Sequence, residues 1–200
     1  MKIIPPYLKK GDKVAIVAPA KKIAAERIDN AVKILTGWGL EVITGKHVLG
    51  SHNYFSGTEQ QRTTDMQQAL DDDSVKAVFC ARGGYGVVKI IDNLNFDRFK
   101  ATPKWVIGYS DITVLHSHIN KVLETETIHA PMPLDYPTEN QEKYPGLYTL
   151  KKALFGEQLS YVVDNHKYNK PGALSGRTVR GKYQCDPQYP GKHFRNRYGG

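Results

Sequence analysis

The sequence predicts an α/β fold, a parallel sheet with helices on both faces, from three observations. Short apolar runs alternate with stretches of helical period, and the connections between them are brief. The residues with chemical character fall just beyond the carboxyl ends of the apolar runs, where open α/β sheets gather their functional groups. The 200 residues, 40% apolar and 24% charged, suit one ordinary soluble domain with a real core.

Lys13-Val14-Ala15-Ile16-Val17-Ala18 reads as a buried strand stopped by Pro19. Ile28, Ala31, Val32 and Leu35 mark one face of a helix ending near Gly37 and Gly39. Residues 40–44 form a second short strand, and 47–57 a loop. Thr58-Glu59-Gln60-Gln61 fits a capping box that opens a helix through about Leu70. A third strand spans 75–80, a glycine-rich turn 82–86, and Val87, Val88, Ile90 and Ile91 give a short helix. The next strand covers 105–109 and runs into Gly108-Tyr109-Ser110-Asp111. After it, Ile112, Leu115, His116, Ile119, Val122 and Leu123 recur at helical spacing. Further on, Thr127-Ile128 is a brief strand before His129-Ala130-Pro131-Met132. A helix is expected over 144–154 and a strand over 159–163, and no period survives beyond Gly176.

Composition excludes several classes. No window approaches the ~18 apolar residues of a membrane span, and the start has no apolar signal region. Cys80 and Cys185 stand far apart without metal spacing, which suits a reducing compartment. A cytoplasmic chain with no membrane partner, no metal and no cofactor is expected. The net charge of +8 is unevenly spread: 177–200 holds six basic residues and one acid, or +5, leaving +3 for the first 176. A nucleic-acid reading would rest on that tail, where Tyr183, Tyr189, Phe194 and Tyr198 stand among the charges, but the tail has no recognisable module. No nucleic-acid partner is expected.

Ser110 sits where a strand gives way to a helix. A sharp turn there pushes the hydroxyl out of the sheet beside the first free amides of the helix, which offers a nucleophile and oxyanion donors together. Ile112 stands where the G-x-S-x-G elbow has its last glycine. The alternative is that Ser110 or Asp111 only caps the helix. Arg82-Gly83-Gly84-Tyr85-Gly86, also between strand and helix, leaves amides free for an anion, and Arg82 can grip a carboxylate. A small-anion or nucleotide module is therefore the rival reading, although neither a Rossmann fingerprint nor a Walker pair is present. Histidines offer Ser110 little. His116 and His118 lie roughly 9 and 12 Å along the following helix, His116 reading as a core-edge residue and His118 as a solvated one. His129 could approach from a strand end but reads more readily as a loop hydrogen-bond donor, His47, His52, His166 and His193 show no pattern, and Cys80 reads as buried and inert.

Taken together, Val17-Ala18-Pro19, Gln61-Arg62, Ala81-Arg82-Gly83-Gly84-Tyr85-Gly86, Gly108-Tyr109-Ser110-Asp111 and His129-Ala130-Pro131-Met132 resemble the LD-carboxypeptidases, serine peptidases that include the microcin-immunity enzymes. The likeness covers roughly 1–176 and departs mildly at Ala130, where family members usually show glycine. It implies a Rossmann-like, glutamine-amidotransferase-like N-terminal domain. The implied reaction is hydrolysis of the amide between an L-centre and a terminal D-amino acid, in a murein tetrapeptide during cell-wall recycling. Ser110 would be the nucleophile, and the amides of Asp111 and Gly84 the oxyanion hole. Arg82, with Gly83 and Tyr85 of its loop, would bind substrate, Arg82 holding the terminal carboxylate. The implied partners are a murein peptide or peptide-nucleotide substrate and a second copy in a homodimer.

The family's triad is Ser-Glu-His, and no residues here match its glutamate and histidine, which belong to a C-terminal domain. The expected organisation is a peptidase domain at 1–165, a linker at 166–176 toward a missing domain, and a basic, disordered, non-family tail at 177–200. Back-translating the tail and reading one base later permits Gly-Gly-Asn at Arg180-Gly181-Lys182 and Thr-Ser-Val-Ile after it. The expectation is a frame change near Gly176, giving a truncated, weakly active or inactive form.

Overall fold

The computed structural model describes residues 2–139, 144–160 and 168. Its sheet is built from β1 (Lys13–Val17), β2 (Glu41–Thr44), β3 (Val75–Cys80), β4 (Trp105–Gly108) and β5 (Ile128–His129). All neighbours are parallel, in the order β2-β1-β3-β4-β5. The chain leaves β1 in one direction for β2 and returns to β3 on the other side, which makes the β1/β3 boundary the topological switch point.

Parallel strands need crossovers, and helices supply them. They are α1 (Ala25–Gly37), α2 (Glu59–Asp71), α3 (Val87–Ile90), α4 (Asp97–Ala101) and α5 (Thr113–Val122), while α6 (Pro145–Leu154) follows β5. Val14, Ile16, Phe79 and Ile107 pack against Ile28, Ala31 and Leu35 of α1 and Leu147, Leu150 and Leu154 of α6. On the opposite face Ala15, Val17, Val78 and Val106 meet Met66 and Leu70 of α2, Phe99 of α4 and Leu115 and Ile119 of α5. Both sheet faces are covered, so the central strands read as unbroken apolar runs. The capping box at α2 is realised: the Thr58 hydroxyl accepts from the Gln61 amide, and the Gln61 side chain accepts from the Thr58 amide.

The structure departs from the sequence reading in places. Lys104, at the mouth of β4, is buried; its ammonium donates to the carbonyls of Ala69, Leu70 and Asp72 and so closes the C-terminal end of α2. The one-turn α4 had no detectable period. β4 stops at Gly108, because Tyr109 already begins the bend. Of the strand expected over 159–163, Leu159 and Ser160 are not in a strand and 161–163 lie outside the described residues. The domain edge at 165, the linker apart from Tyr168, and the tail at 177–200 also lie outside them. Among the described residues, no helix is long and apolar enough to cross a membrane.

Candidate active site

The elbow is real backbone geometry. Tyr109 is extended, Ser110 turns to φ +63°, and a 3-10 turn over Ser110–Ile112 leads into α5. A non-glycine residue in the left-handed region costs about 1 kcal/mol and persists only where its surroundings hold it. The N-cap positions of the 3-10 turn and of α5 are Tyr109 and Ile112, and neither gives a side-chain cap bond. Asp111 turns its carboxylate away from its own helix: Oδ2 accepts from the amide of Val87, 2.9 Å away, at the start of α3. Asp111, 4% exposed, thus ties the elbow to the helix that follows the glycine turn.

That turn lies directly against the elbow. A Cβ on Gly83 would come within 3.0 Å of Ser110 Cβ, 3.2 Å of the Tyr109 carbonyl and 3.3 Å of the Asp111 amide. A side chain here would force the elbow or the turn to give by a few tenths of an ångström. Gly84 has φ +118°, and a Cβ there would run into the Lys21 stem at 2.5 Å. Arg62, buried on α2, completes the frame. Its Nη1 donates to the carbonyl of Pro19 beyond β1 (2.7 Å) and to that of Gly86 in the turn (3.0 Å). Its guanidinium also lies over the Phe55 ring, 4.7 Å from the centroid. Burial lowers the Arg62 pKa, while the carboxylates of Glu59 and Asp111 oppose the shift.

Beside Ser110, the Tyr109 hydroxyl donates to Asp135 (3.1 Å), and burial followed by that carboxylate raises its pKa. His116 folds back under the elbow. Its Nε2 donates to the Gly108 carbonyl at 2.9 Å, which fixes the proton on that nitrogen. Nδ1 is buried without a hydrogen-bond partner, and desolvation lowers the pKa to about 4. The ring is therefore neutral at physiological pH. His129 is exposed at the end of β5, its ring 5.9 Å from Tyr109 and 6.4 Å from His116. His118, expected in solvent, instead packs on Phe96 with ring centroids 4.8 Å apart. His47, which showed no pattern, pairs through Nδ1 with buried Asp65 at 2.8 Å and pins the loop after β2 to α2. Cys80 is wholly buried and its thiol is pushed up by desolvation, with Asp111 adding to the shift.

Ser110, Asp111 and Gly83 therefore meet at one place, across the carboxyl ends of β3 and β4, and Gly84 is the next residue of the turn. Arg82 and Tyr85 belong to the same loop and are half-buried. Arg82 Nη1 donates to the Lys22 carbonyl at 2.9 Å, and the Tyr85 ring stands 6.4 Å from Phe55. Sequence reasoning gave Arg62 no role. The signal was available: Arg62, Asp65, Met66, Ala69 and Leu70 share the buried face of α2 at helical spacing. Among the described residues, no group of three or more His, Cys, Asp or Glu is placed to hold a metal ion.

Comparison with known proteins agrees with this geometry. A putative carboxypeptidase of Streptomyces coelicolor is 41% identical over 132 residues, 64% of this chain and 43% of the relative. The murein tetrapeptide carboxypeptidase of Pseudomonas aeruginosa is 34% identical over 175 residues, 82% of this chain and 57% of the relative. The chain thus spans about half the length of the curated relatives it matches. Its fold is shared with a microcin self-immunity protein solved in complex with aspartyl sulfamoyl adenosine (TM-score 0.71, 21% identity, covering 88% of this chain and 56% of that one). The family profile described as the LD-carboxypeptidase N-terminal domain matches residues 14–130, a span that contains all three strand ends just described. With β1, the glycine turn and the serine elbow all inside that match, the chain belongs to the LD-carboxypeptidase family.

Proposed function

We propose that this chain carries the nucleophile of a serine carboxypeptidase that cleaves the L,D-amide bond releasing a terminal D-amino acid from a murein tetrapeptide. The observation that carries the reading is the left-handed Ser110 held against the Gly83 turn, with the Asp111 amide beside it. Ser110 Oγ attacks the carbonyl carbon, and the negative charge that develops on its oxygen is taken by the amides of Asp111 and Gly84. Donors already aimed at such a charge are worth more in the transition state than in the ground state. Arg82, with Gly83 and Tyr85, would engage the terminal carboxylate, a guanidinium being matched to it in shape and charge. The same reading puts the reaction in the cytoplasm and the assembly in a homodimer.

A general base is still required. The resemblance assigns the base and its carboxylate partner to residues with no match in this sequence. Loss of one triad member costs on the order of 10⁴ to 10⁶ in kcat, so turnover depends on that base being supplied. The P. aeruginosa relative's name supports a murein tetrapeptide as substrate. The ligand of the microcin self-immunity protein supports a peptide-nucleotide as a second one.

Mapping a fluorophosphonate adduct by tandem mass spectrometry tests the nucleophile. Ser110 should be modified well ahead of exposed Ser74, and the adduct should vanish in Ser110→Ala. Modification of Ser110 no faster than of Ser74 would overturn the assignment. Thermal stabilisation by a nucleotide without labelling at Ser110 would favour an anion-binding module instead.

A further inference from the structure

Arg82 belongs to the glycine turn, Lys21 and Lys89 border it, and among the described residues none of the three forms an ion pair. Lys21 follows β1 and the glycine turn follows β3, so the two meet at the switch point of the sheet, where open α/β folds hold ligands. The methylenes of Lys21 lie across Gly84: its Cδ, Cγ and Cε all fall within 3 Å of where a Cβ on that glycine would stand. The ammonium is carried outward, to 5.9 Å from the Tyr54 ring centroid. Lys89, on α3, brings a second ammonium 5.4 Å from the Phe55 ring and 5.7 Å from that of Tyr85.

The rings form one wall. Tyr54 and Phe55 are 4.2 Å apart, Phe55 and Tyr85 6.4 Å. The wall is fastened in place, since Lys21 bridges Phe55 and the Lys22 amide donates to the Tyr54 carbonyl at 3.1 Å. Below Phe55, the charge of Arg62 is opposed by Glu59 and Asp111. Among the described residues, the two lysines above have ring faces as neighbours and no carboxylate within ion-pair distance. Aromatic faces hold a cation in position without neutralising it, so the positive charge is left for a ligand.

We propose that Lys21 and Lys89, on the wall of Tyr54, Phe55 and Tyr85, form an anion subsite beside Gly84 that takes a carboxylate of the peptide bound at Ser110. This rests on reading Ser110 as the nucleophile. The rings receive the aliphatic part next to that carboxylate. An ammonium is a point charge on a flexible stem, so the subsite selects charge more than the planar shape a guanidinium reads. The carboxylate has two sources in a murein tetrapeptide, its C-terminus and its internal acidic residues.

Titration calorimetry of the Ser110→Ala chain tests the subsite with three probes: the free tetrapeptide, its C-terminal carboxamide, and the peptide amidated at its internal carboxylates. Lys21→Met keeps the stem over Gly84 and removes only the charge, and Lys89→Met does the same on α3. Each should weaken the free tetrapeptide by about tenfold, the scale of one charge-assisted contact. The amidated probe whose affinity the lysine variants no longer change identifies the carboxylate involved. Equal affinity of the parent and both lysine variants for the free tetrapeptide, or no binding by the parent, would overturn the subsite. Fluorophosphonate labelling of Ser110 in the unmutated chain keeps the two readings apart. Labelling with lysine-independent binding removes the subsite alone, whereas lysine-dependent binding without labelling removes the peptidase reading and leaves the subsite.

Discussion

Gly83→Ala adds one methyl group at the contact between the glycine turn and the elbow. The new Cβ would stand 3.0 Å from Ser110 Cβ, 3.2 Å from the Tyr109 carbonyl oxygen and 3.3 Å from the Asp111 amide nitrogen. Gly83 is not in the left-handed region, so alanine suffers no backbone penalty and the effect is steric. Two of the three neighbours are backbone atoms of the elbow, held from below by His116 on Gly108 and from the side by Asp111 on Val87. They cannot rotate away as a flexible side chain would. Overpacking of this kind costs about 1–3 kcal/mol, or roughly 2–10 °C in Tm for a domain of this size. Relief would require Ser110 and the Asp111 amide to move off the turn, which separates the proposed nucleophile from the Gly84 amide proposed as its oxyanion donor. The second-order rate of fluorophosphonate labelling should fall at least about tenfold while the far-ultraviolet circular dichroism is kept. Gly37→Ala, at the end of α1, is the control, since a Cβ there meets nothing within 4 Å. Labelling of Gly83→Ala at the parent rate and with the parent Tm would refute the packing of the turn on the elbow.

Two further outcomes follow from the same frame. Asp111→Ala strands the buried Val87 amide and should cost about 1–3 kcal/mol in urea unfolding, whereas Asp111→Asn keeps an acceptor and should recover most of it; equal losses in both would show that the bond is not what matters. His116 is neutral in the native state because burial brings its pKa to about 4, against 6.5 when unfolded. Between those values the unfolded chain binds a proton that the native chain refuses, so stability falls as pH drops from about 6.5 to 4, by about 3 kcal/mol in total. His116→Gln retains a donor for the Gly108 carbonyl and should flatten that slope in urea titrations at pH 7.5 and 4.5; an unchanged slope would assign it to other groups.

The parts of the fold legible in the sequence were those written in local pattern. The apolar runs at β1, β3 and β4, the Thr58–Gln61 capping box and the helical period after Ile112 depend on neighbours a few residues apart, and each is present. The convergence of the glycine turn with Ser110 was legible too, because a parallel sheet carries every strand end to one edge. What escaped was long-range polar pairing. Arg62 reaches Pro19, 43 residues away in sequence, and Lys104 reaches Leu70, 34 residues away. A charged residue looks solvated until its distant partners are known. The Asp111 carboxylate escaped for the same reason: as a first-turn acid it suggests a cap on its own helix, and it serves another.

The most direct measurement is a crystal structure of the chain with Ser110 phosphonylated. The phosphoryl oxygen should accept hydrogen bonds from the main-chain amides of Asp111 and Gly84, at about 2.7–3.1 Å. A phosphoryl oxygen directed to solvent, with the Gly84 amide turned elsewhere, would contradict the assignment of the elbow and the glycine turn to a single oxyanion site.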